Sequence, residues 1–133
     1  MDIFQILLFY DVWFYGVHRL MHVSPLLMPF HKIHHQVTGD KITLWDAGSA
    51  HIVENILTNT GFLIPSMWAS SRMAIVLSFL FISVRGLLRH DPRSARWIGR
   101  HHLDHHKYPD YNFSSYPVDL FFGTIKPIKN FIK

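Results

Sequence analysis

Histidine is the residue type through which this sequence could perform chemistry. Eleven of the 133 residues are histidine, and most of them fall into short clusters. A helix brings residues three and four positions apart onto one face, so the imidazoles of each cluster converge on one point. The clustered residues are His18 and His22 (HRLMH), His31, His34 and His35 (HKIHH), the isolated His90, and His101, His102, His105 and His106 (HHLDHH).

The number of imidazoles predicts two metal ions held in an all-nitrogen cage. The HxxxH and HxxHH clusters offer eight ligands, whereas tetrahedral zinc takes four and catalytic zinc usually takes three from the protein. Iron, zinc, copper and nickel all accept imidazole, and the spacing does not choose among them. A lone histidine is more often a surface or core residue. Repeated clusters separated by apolar segments, however, indicate a folded site rather than a histidine-rich tail.

The elements that must carry these clusters are apolar and helical. With 49% apolar and 17% charged residues, the chain is apolar for a soluble domain of its size. We predict an all-α single domain, an integral membrane helical bundle with a cytosolic histidine-rich cap that holds the two metals. Asp11 and Pro65 interrupt the first two apolar segments, so neither is a decisive span of about 20 residues. The domain is 1–133, with apolar helical segments near 3–17, 52–69 and 73–89 and histidine-rich regions at 18–50 and 90–133.

Positive charge is distributed unevenly about these segments. If all three cross a membrane, twelve cations lie on the histidine side and Arg72 alone lies opposite. The positive-inside rule then places the histidines in the cytosol, at the endoplasmic reticulum in a eukaryote or the inner membrane in a bacterium. The net charge of +4 suits anionic headgroups, and no nucleic-acid-binding motif accompanies it. The twelve are Arg19, Lys32, Lys41, Arg85, Arg89, Arg93, Arg96, Arg100, Lys107, Lys126, Lys129 and Lys133.

The sequence lacks groups that would carry electrons. It contains no cysteine, so it offers neither a disulfide nor a thiolate ligand. It also contains no GxGxxG fingerprint for a flavin or nicotinamide. Redox chemistry at the metals would therefore need a separate electron donor.

Several polar residues are placed to support the ligands. Asp11, Tyr15, His18 and His22 share one helical stripe, and we expect Asp11 to accept the second N–H of His18. Neighbouring acids could orient other imidazoles in the same way, although surface turn residues would look identical. These candidates are Asp91 beside His90, Asp104 beside His105 and His106, and Asn112 and Asp119 in the C-terminal stretch.

Five motifs follow one another along the chain: DVWFYGVHRLMH from Asp11, HKIHHQVT from His31, AHIVE around His51 and Glu54, HHLDHH from His101, and FGT ending at Thr124. In order and spacing they resemble the fatty acid hydroxylase/sterol desaturase superfamily. The resemblance implies an integral membrane di-iron oxygenase that uses molecular oxygen. It also implies electrons from a separate carrier, such as a cytochrome b-type protein or a ferredoxin with its reductase. Zinc could replace iron in a heterologous preparation.

The resemblance also assigns roles residue by residue. Relatives often carry another histidine four residues after the isolated one, where this chain has Ser94, and His101 or His51 could substitute. His51 and Glu54 match an HPxE-type segment in which Ile52 replaces proline, so a structural or supporting role for His51 is as plausible as ligation. The residues matching the histidine boxes are His18, His22, His31, His34, His35, His90, His102, His105 and His106.

The activity that the resemblance implies is hydroxylation or desaturation of a lipid, of sterol, fatty acid or sphingoid type. Two alternatives stay open: a non-catalytic membrane metal-binding protein, and an inactive shortened homologue. Relatives commonly carry at least one more transmembrane helix before the first box, which favours a homo-oligomer.

Overall fold

A computed structural model describes residues 1–38 and 41–127, and within these ranges the chain is helical without a β-strand. This confirms the predicted all-α class. The helices are α1 (Ile3–Val23), α2 (Met28–His31), α3 (Ile52–Ser66), α4 (Arg72–His90), α5 (Ala95–Ile98), α6 (His101–Lys107) and α7 (Tyr116–Phe121), with 3₁₀ turns at His34–Gln36, Leu44–Gly48 and Pro92–Ser94.

Local side chains fix where the long helices begin. Asp2 accepts from the backbone N–H of Gln5, and the Gln5 side chain binds back to Asp2, which forms a capping box for α1. Ser71 caps α4 by accepting from the N–H of Ala74. These caps explain why α1 and α4 begin at Ile3 and Arg72.

Among the three long helices, α1 and α4 run in the same direction and α3 runs antiparallel to both. α1 packs against both α3 and α4. Its far end lies beside the α3–α4 turn, where the Met1 ammonium contacts the Trp68 carbonyl and Ser70 N donates to the Met1 carbonyl. The C-terminus of α1, the N-terminus of α3 and the C-terminus of α4 therefore face the histidines, and Arg72 lies at the opposite end.

A close contact sets the spacing of α1 and α3. The Trp13 indole N–H donates to the Leu57 carbonyl over 2.8 Å. A Cβ on Gly61 would overlap the Trp13 ring. Gly61 is buried, so glycine is required there for the two helices to approach.

Asp11 joins α1 to α4 rather than supporting a histidine. Its carboxylate receives both terminal nitrogens of the Arg85 guanidinium, one of them over 2.9 Å. Both side chains are largely buried, at 14% and 18% exposed. The expectation that Asp11 accepts from His18 is therefore wrong, because Arg85 occupies the carboxylate.

One helix in the described part, α4, is long and apolar enough to cross a membrane by length and composition. α3, with 15 residues, rises only about 22 Å, less than the roughly 30 Å of a hydrocarbon core. Large apolar side chains nevertheless cover the outside of α4, where Met73 is 63% and Phe79 51% exposed. The membrane bundle stays a prediction. Of the twelve predicted cytosolic cations, Lys129 and Lys133 lie outside the described residues.

Candidate metal centre

Nine imidazoles from separate parts of the chain converge into two adjacent groups. Within each group the nearest ring nitrogens all lie within 4.8 Å of one another. The five-histidine group is His18, His22, His31, His35 and His105, and the four-histidine group is His34, His90, His102 and His106. The two groups share the HKIHH and HHLDHH clusters, so neither group corresponds to one sequence motif.

In the five-histidine group the Nε2 atoms face each other. Adjacent Nε2 atoms lie 2.9–3.2 Å apart, as in the His22–His31 and His35–His105 pairs. Two ligands that each lie about 2.1 Å from an ion at right angles would be roughly 3.0 Å apart. The spacing therefore fits imidazoles arranged around one metal ion.

For four of the nine rings, a backbone carbonyl determines which nitrogen is free. In the four-histidine group, His34 Nδ1 lies 3.3 Å from the Ser49 carbonyl and His90 Nδ1 lies 2.8 Å from the Gly86 carbonyl. A carbonyl only accepts, so each Nδ1 carries the proton and each neutral ring presents an Nε2 lone pair. These two lone pairs lie 3.1 Å apart. Two acceptors at that distance repel each other unless a cation lies between them, so the donor set fits a metal ion.

The same arrangement recurs in the five-histidine group. His18 Nδ1 donates to the Phe113 carbonyl, and His105 Nδ1 donates to the Tyr111 carbonyl over 2.6 Å. In the four-histidine group, the buried Nε2 of His106 has no hydrogen-bond partner within residues 1–38 and 41–127. Unpartnered, inward-facing nitrogens of this kind are the ligand atoms that a structural or catalytic metal would take.

Burial keeps these imidazoles neutral. It lowers the pKa of His31 and His34 to about 4 and that of His22 to about 3. Burial, followed by the neighbouring imidazoles, holds the pKa of His102 and His105 well below the usual value. The rings therefore present lone pairs at neutral pH, as metal binding requires.

Glu54 supports the five-histidine group from α3. Its carboxylate Oε1 lies 3.0 Å from Nδ1 of His31, and both side chains are nearly fully buried. An acid at this position can accept the second N–H of a metal-bound imidazole and fix its orientation. The structure thus brings Glu54 to the ligands.

Asp119 organises the loop that holds His18 and His105. Its fully buried carboxylate accepts from the backbone N–H groups of Phe113 and Ser114, over 2.8 and 2.7 Å, and from the Thr124 hydroxyl. It therefore acts on the backbone and does not touch a residue of either histidine group. Sequence reasoning missed the carbonyls that orient the rings, because a backbone carbonyl leaves no signature in residue types.

His101 lies outside both groups and does not serve as an extra ligand. Its Nε2 lies 2.9 Å from Asp119. His51 likewise stays away from the ligands: its Nδ1 accepts from the N–H of Val53 and caps α3. Ser94, which stands where relatives often carry a histidine, donates to the Leu88 and Asp91 carbonyls. The four-histidine group is therefore assembled without residue 94 or a substitute for it.

In the described residues, no hydrogen bond joins the side chains of four other candidate supporting residues to the rings of either histidine group. Tyr15 accepts from Arg19 and stacks on Phe122. Asp91 pairs with Arg93. Asn112, at a φ of 61° that asparagine tolerates, donates to the His101 carbonyl and accepts from Lys126 N. In the described chain, no hydrogen bond joins the Asp104 side chain to His105 or His106.

A cavity of about 340 Å³ opens beside the four-histidine group. It lies among α1, α3 and α4, and His34, His90 and His102 form one end of its lining. Its size falls in the range of small-molecule sites. A ligand in this cavity would lie directly against the candidate metal position.

The sequence also matches a protein-family model, that of the fatty acid hydroxylases, over residues 3–124. The chain belongs to the fatty acid hydroxylase family. This match confirms the resemblance found in the motifs. Membership of the family implies oxidoreductase activity, and the two histidine groups are compatible with metal binding. A comparison with solved structures found no significant match.

Proposed function

We propose that this fatty acid hydroxylase family member is a membrane-bound, di-iron, O₂-dependent oxygenase that hydroxylates or desaturates a lipid. The observation that carries the proposal is the pair of histidine groups, with five and four ring nitrogens directed inward. Their number and separation suit two ions rather than one. Two irons, when bound, would supply the activation of O₂ that oxidation of an unactivated C–H bond requires.

The protein's own contribution is to hold neutral imidazoles in a dry site. Four of the rings are oriented by the carbonyls of Phe113, Tyr111, Ser49 and Gly86, and Glu54 supports His31. Seven of the nine rings are buried, and the other two, His22 and His35, are half-buried. Because neutral nitrogen donors suit iron but also zinc, the identity of the metal is part of the proposal.

A lipid substrate follows from the surroundings of the site. The cavity lies among three helices whose outer faces are apolar, and Leu63 of α3 and Leu80 of α4 are both more than half exposed. Exposed apolar surface of this kind marks sites of contact with a membrane or with another protein, and we propose a membrane here. An acyl chain could therefore pass from a bilayer between the helices to His90 and His102.

The electrons would come from a separate protein. The chain contains neither cysteine nor a dinucleotide-binding fingerprint. We propose a cytochrome b-type protein or a ferredoxin with its reductase as the donor, acting on the cytosolic side where the cations of α5 and α6 lie.

The test is metal analysis and lipid oxidation on one detergent-purified sample, loaded anaerobically with iron. The sample is given a ferredoxin, its reductase and mixed membrane lipids, under ¹⁸O₂ or under argon. We expect both metal positions to fill with iron and a lipid product to form only with oxygen. An ¹⁸O label in the product indicates hydroxylation, and a new double bond without label indicates desaturation.

The controls are His34→Ala and His105→Ala, one from each histidine group. Both should abolish the product while the chain stays in the membrane. Full metal without product under every donor tried would favour a non-catalytic metal-binding protein. Iron in only one position would favour an inactive homologue. Product from both variants would contradict the site.

A further inference from the structure

The cavity beside the four-histidine group is lined by an arginine that has no partner among residues 1–38 and 41–127. Three of its lining residues are charged apart from histidine: Glu54, Arg85 and Arg89. The Glu54 carboxylate lies 3.0 Å from His31 Nδ1, and the Arg85 guanidinium forms a bidentate contact with the Asp11 carboxylate. For Arg89, no hydrogen bond or ion pair is formed with any residue in the described ranges.

The acids near Arg89 are already occupied. Asp11 is within electrostatic reach of Arg89, but both of its oxygens bind Arg85. Asp119, also within reach, is surrounded by the donors of Phe113, Ser114 and Thr124. A guanidinium shielded from water without an anion loses favourable interactions, so a ligand anion would stabilise it.

The asparagine and threonine side chains of the lining already donate to backbone carbonyls. Asn59 and Thr58 donate to carbonyls of their own helix, over 2.7 and 2.9 Å. Asn55 donates to the Ala50 carbonyl. Hydrogen bonds within α3 and its N-terminal turn therefore occupy these side chains, and Arg89 is left as the charged donor facing the cavity.

The position of Arg89 relates the anion to the site of oxidation. Arg89 directly precedes His90 at the end of α4, and Arg85 lies one helical turn earlier on the same face. Both line the cavity together with His90. An anion held here would lie close to the metal end, so the carbons nearest the head of the lipid would lie closest to the metals.

We propose that Arg89 binds an anionic oxygen group at the head of an acyl lipid, and that the site therefore selects charged over neutral single-chain lipids and acts near their polar end. The part of this inference that concerns oxidation near the polar end rests on the proposed function. The binding of the anion can be measured without turnover. A fatty acid carboxylate and a lysolipid phosphate both supply the required chemistry.

The test measures binding of tritiated palmitate and tritiated hexadecanol to iron-loaded protein in neutral phosphatidylcholine nanodiscs, by scintillation proximity under argon and without reductant. The two probes have the same chain and differ in charge. We expect Arg89→Gln to weaken palmitate binding by about 10- to 100-fold, the effect of losing one hydrogen bond to a charged group. Hexadecanol binding should change less than about twofold. Arg89→Lys should restore most of the palmitate affinity.

Arg96→Gln is the matched control, because Arg96 is an exposed cation that follows α4 and does not line the cavity. It should leave palmitate binding unchanged. Tritiated 1-palmitoyl lysophosphatidate, as a third probe, identifies the source of the anion: the ligand that loses more affinity in Arg89→Gln supplies the natural head group.

Three results would overturn the proposal. They are unchanged palmitate binding in Arg89→Gln, an equal loss for palmitate and hexadecanol, and an equal loss in Arg96→Gln. Charge-selective binding without any lipid oxidation would contradict the proposed function alone. Oxidation with charge-independent binding would contradict this inference alone.

Discussion

The Phe113 carbonyl accepts a hydrogen bond from Nδ1 of His18, a residue 95 positions earlier in the chain. The N–H of the same Phe113 donates to Asp119 over 2.8 Å. One loop residue thus links a buried carboxylate to the orientation of a candidate metal ligand. This relationship makes Asp119 a positioning residue for the five-histidine group.

Replacing Asp119 with asparagine should therefore impair the metal site without removing a ligand. The amide NH₂ would face a donor in place of one carboxylate oxygen, which should cost about 1–3 kcal/mol of stability and lower metal affinity by roughly 10- to 100-fold. Thermal unfolding and competition with a metal chelator measure the two effects. Asp104→Asn is the control, because Asp104 lies between ligands on α6 without a hydrogen bond to His105 or His106. Equal effects in both variants would argue against a positioning role.

The two histidine groups should lose metal separately. His105→Ala removes a ligand from the five-histidine group, and His34→Ala removes one from the four-histidine group. We expect each variant to retain the metal of the other group, as measured by mass spectrometry of total metal. His51→Ala should keep both metals and lose only about 1 kcal/mol, because His51 caps α3. Complete metal loss in either single ligand variant would contradict two separable positions.

The metal-free protein should lose stability in mild acid. Burial depresses the folded-state pKa of His31 and His34 to about 4, from 6.5 when unfolded. Below pH 6.5 the unfolded chain takes up protons that the folded chain does not. The stability present above pH 6.5 therefore falls as the pH drops toward 4, by about 1.4 kcal/mol per pH unit for each proton. Unfolding in detergent, followed by circular dichroism between pH 7.5 and 4.5, measures this slope.

His34→Gln should flatten that slope, because it removes one of the buried imidazoles. A metal-free protein whose stability stayed level between pH 7.5 and 4.5 would show that the rings are not buried as neutral groups. With metal bound, protons compete for the same nitrogens, so metal should also be released as the pH approaches the folded-state pKa of about 4.

Breaking the Asp11–Arg85 pair should affect stability but not metal content. Asp11→Asn leaves a largely buried guanidinium without its counter-charge, so a loss of about 1–3 kcal/mol is expected. Iron content should match that of the native protein, because the Asp11 side chain does not contact His18. Loss of metal in Asp11→Asn would restore the original expectation that Asp11 supports His18.

Adding a methyl group at Gly61 should lower the stability of the α1–α3 packing. Gly61→Ala forces a Cβ into the Trp13 ring, and overpacking of this kind costs about 1–3 kcal/mol. Gly16→Ala is the matched control on α1, where a Cβ meets no atom within 4 Å. The control should be neutral or more stable by up to about 1 kcal/mol, since alanine favours a helix. Thermal unfolding measures the stability of both variants. Equal stabilities would mean that α1 and α3 have room to separate.

The sequence determined which residues could bind metal and that helices would carry them. The HxxxH and HxxHH repeats identified eight of the nine histidines that converge, and the family resemblance supplied the ninth, His90. The apolar segments and the family motifs are likewise local in the chain.

The tertiary structure decided how these residues are divided and what supports them. His34 and His35 are neighbours in sequence but enter different groups, because both lie in one 3₁₀ turn, where successive side chains point about 120° apart. Asp11 lies on the same helical stripe as His18, but its carboxylate binds Arg85 of α4. The carbonyl that orients His18 belongs to Phe113, 95 residues later in the chain. Such partners depend on contacts between distant segments, which local spacing does not encode.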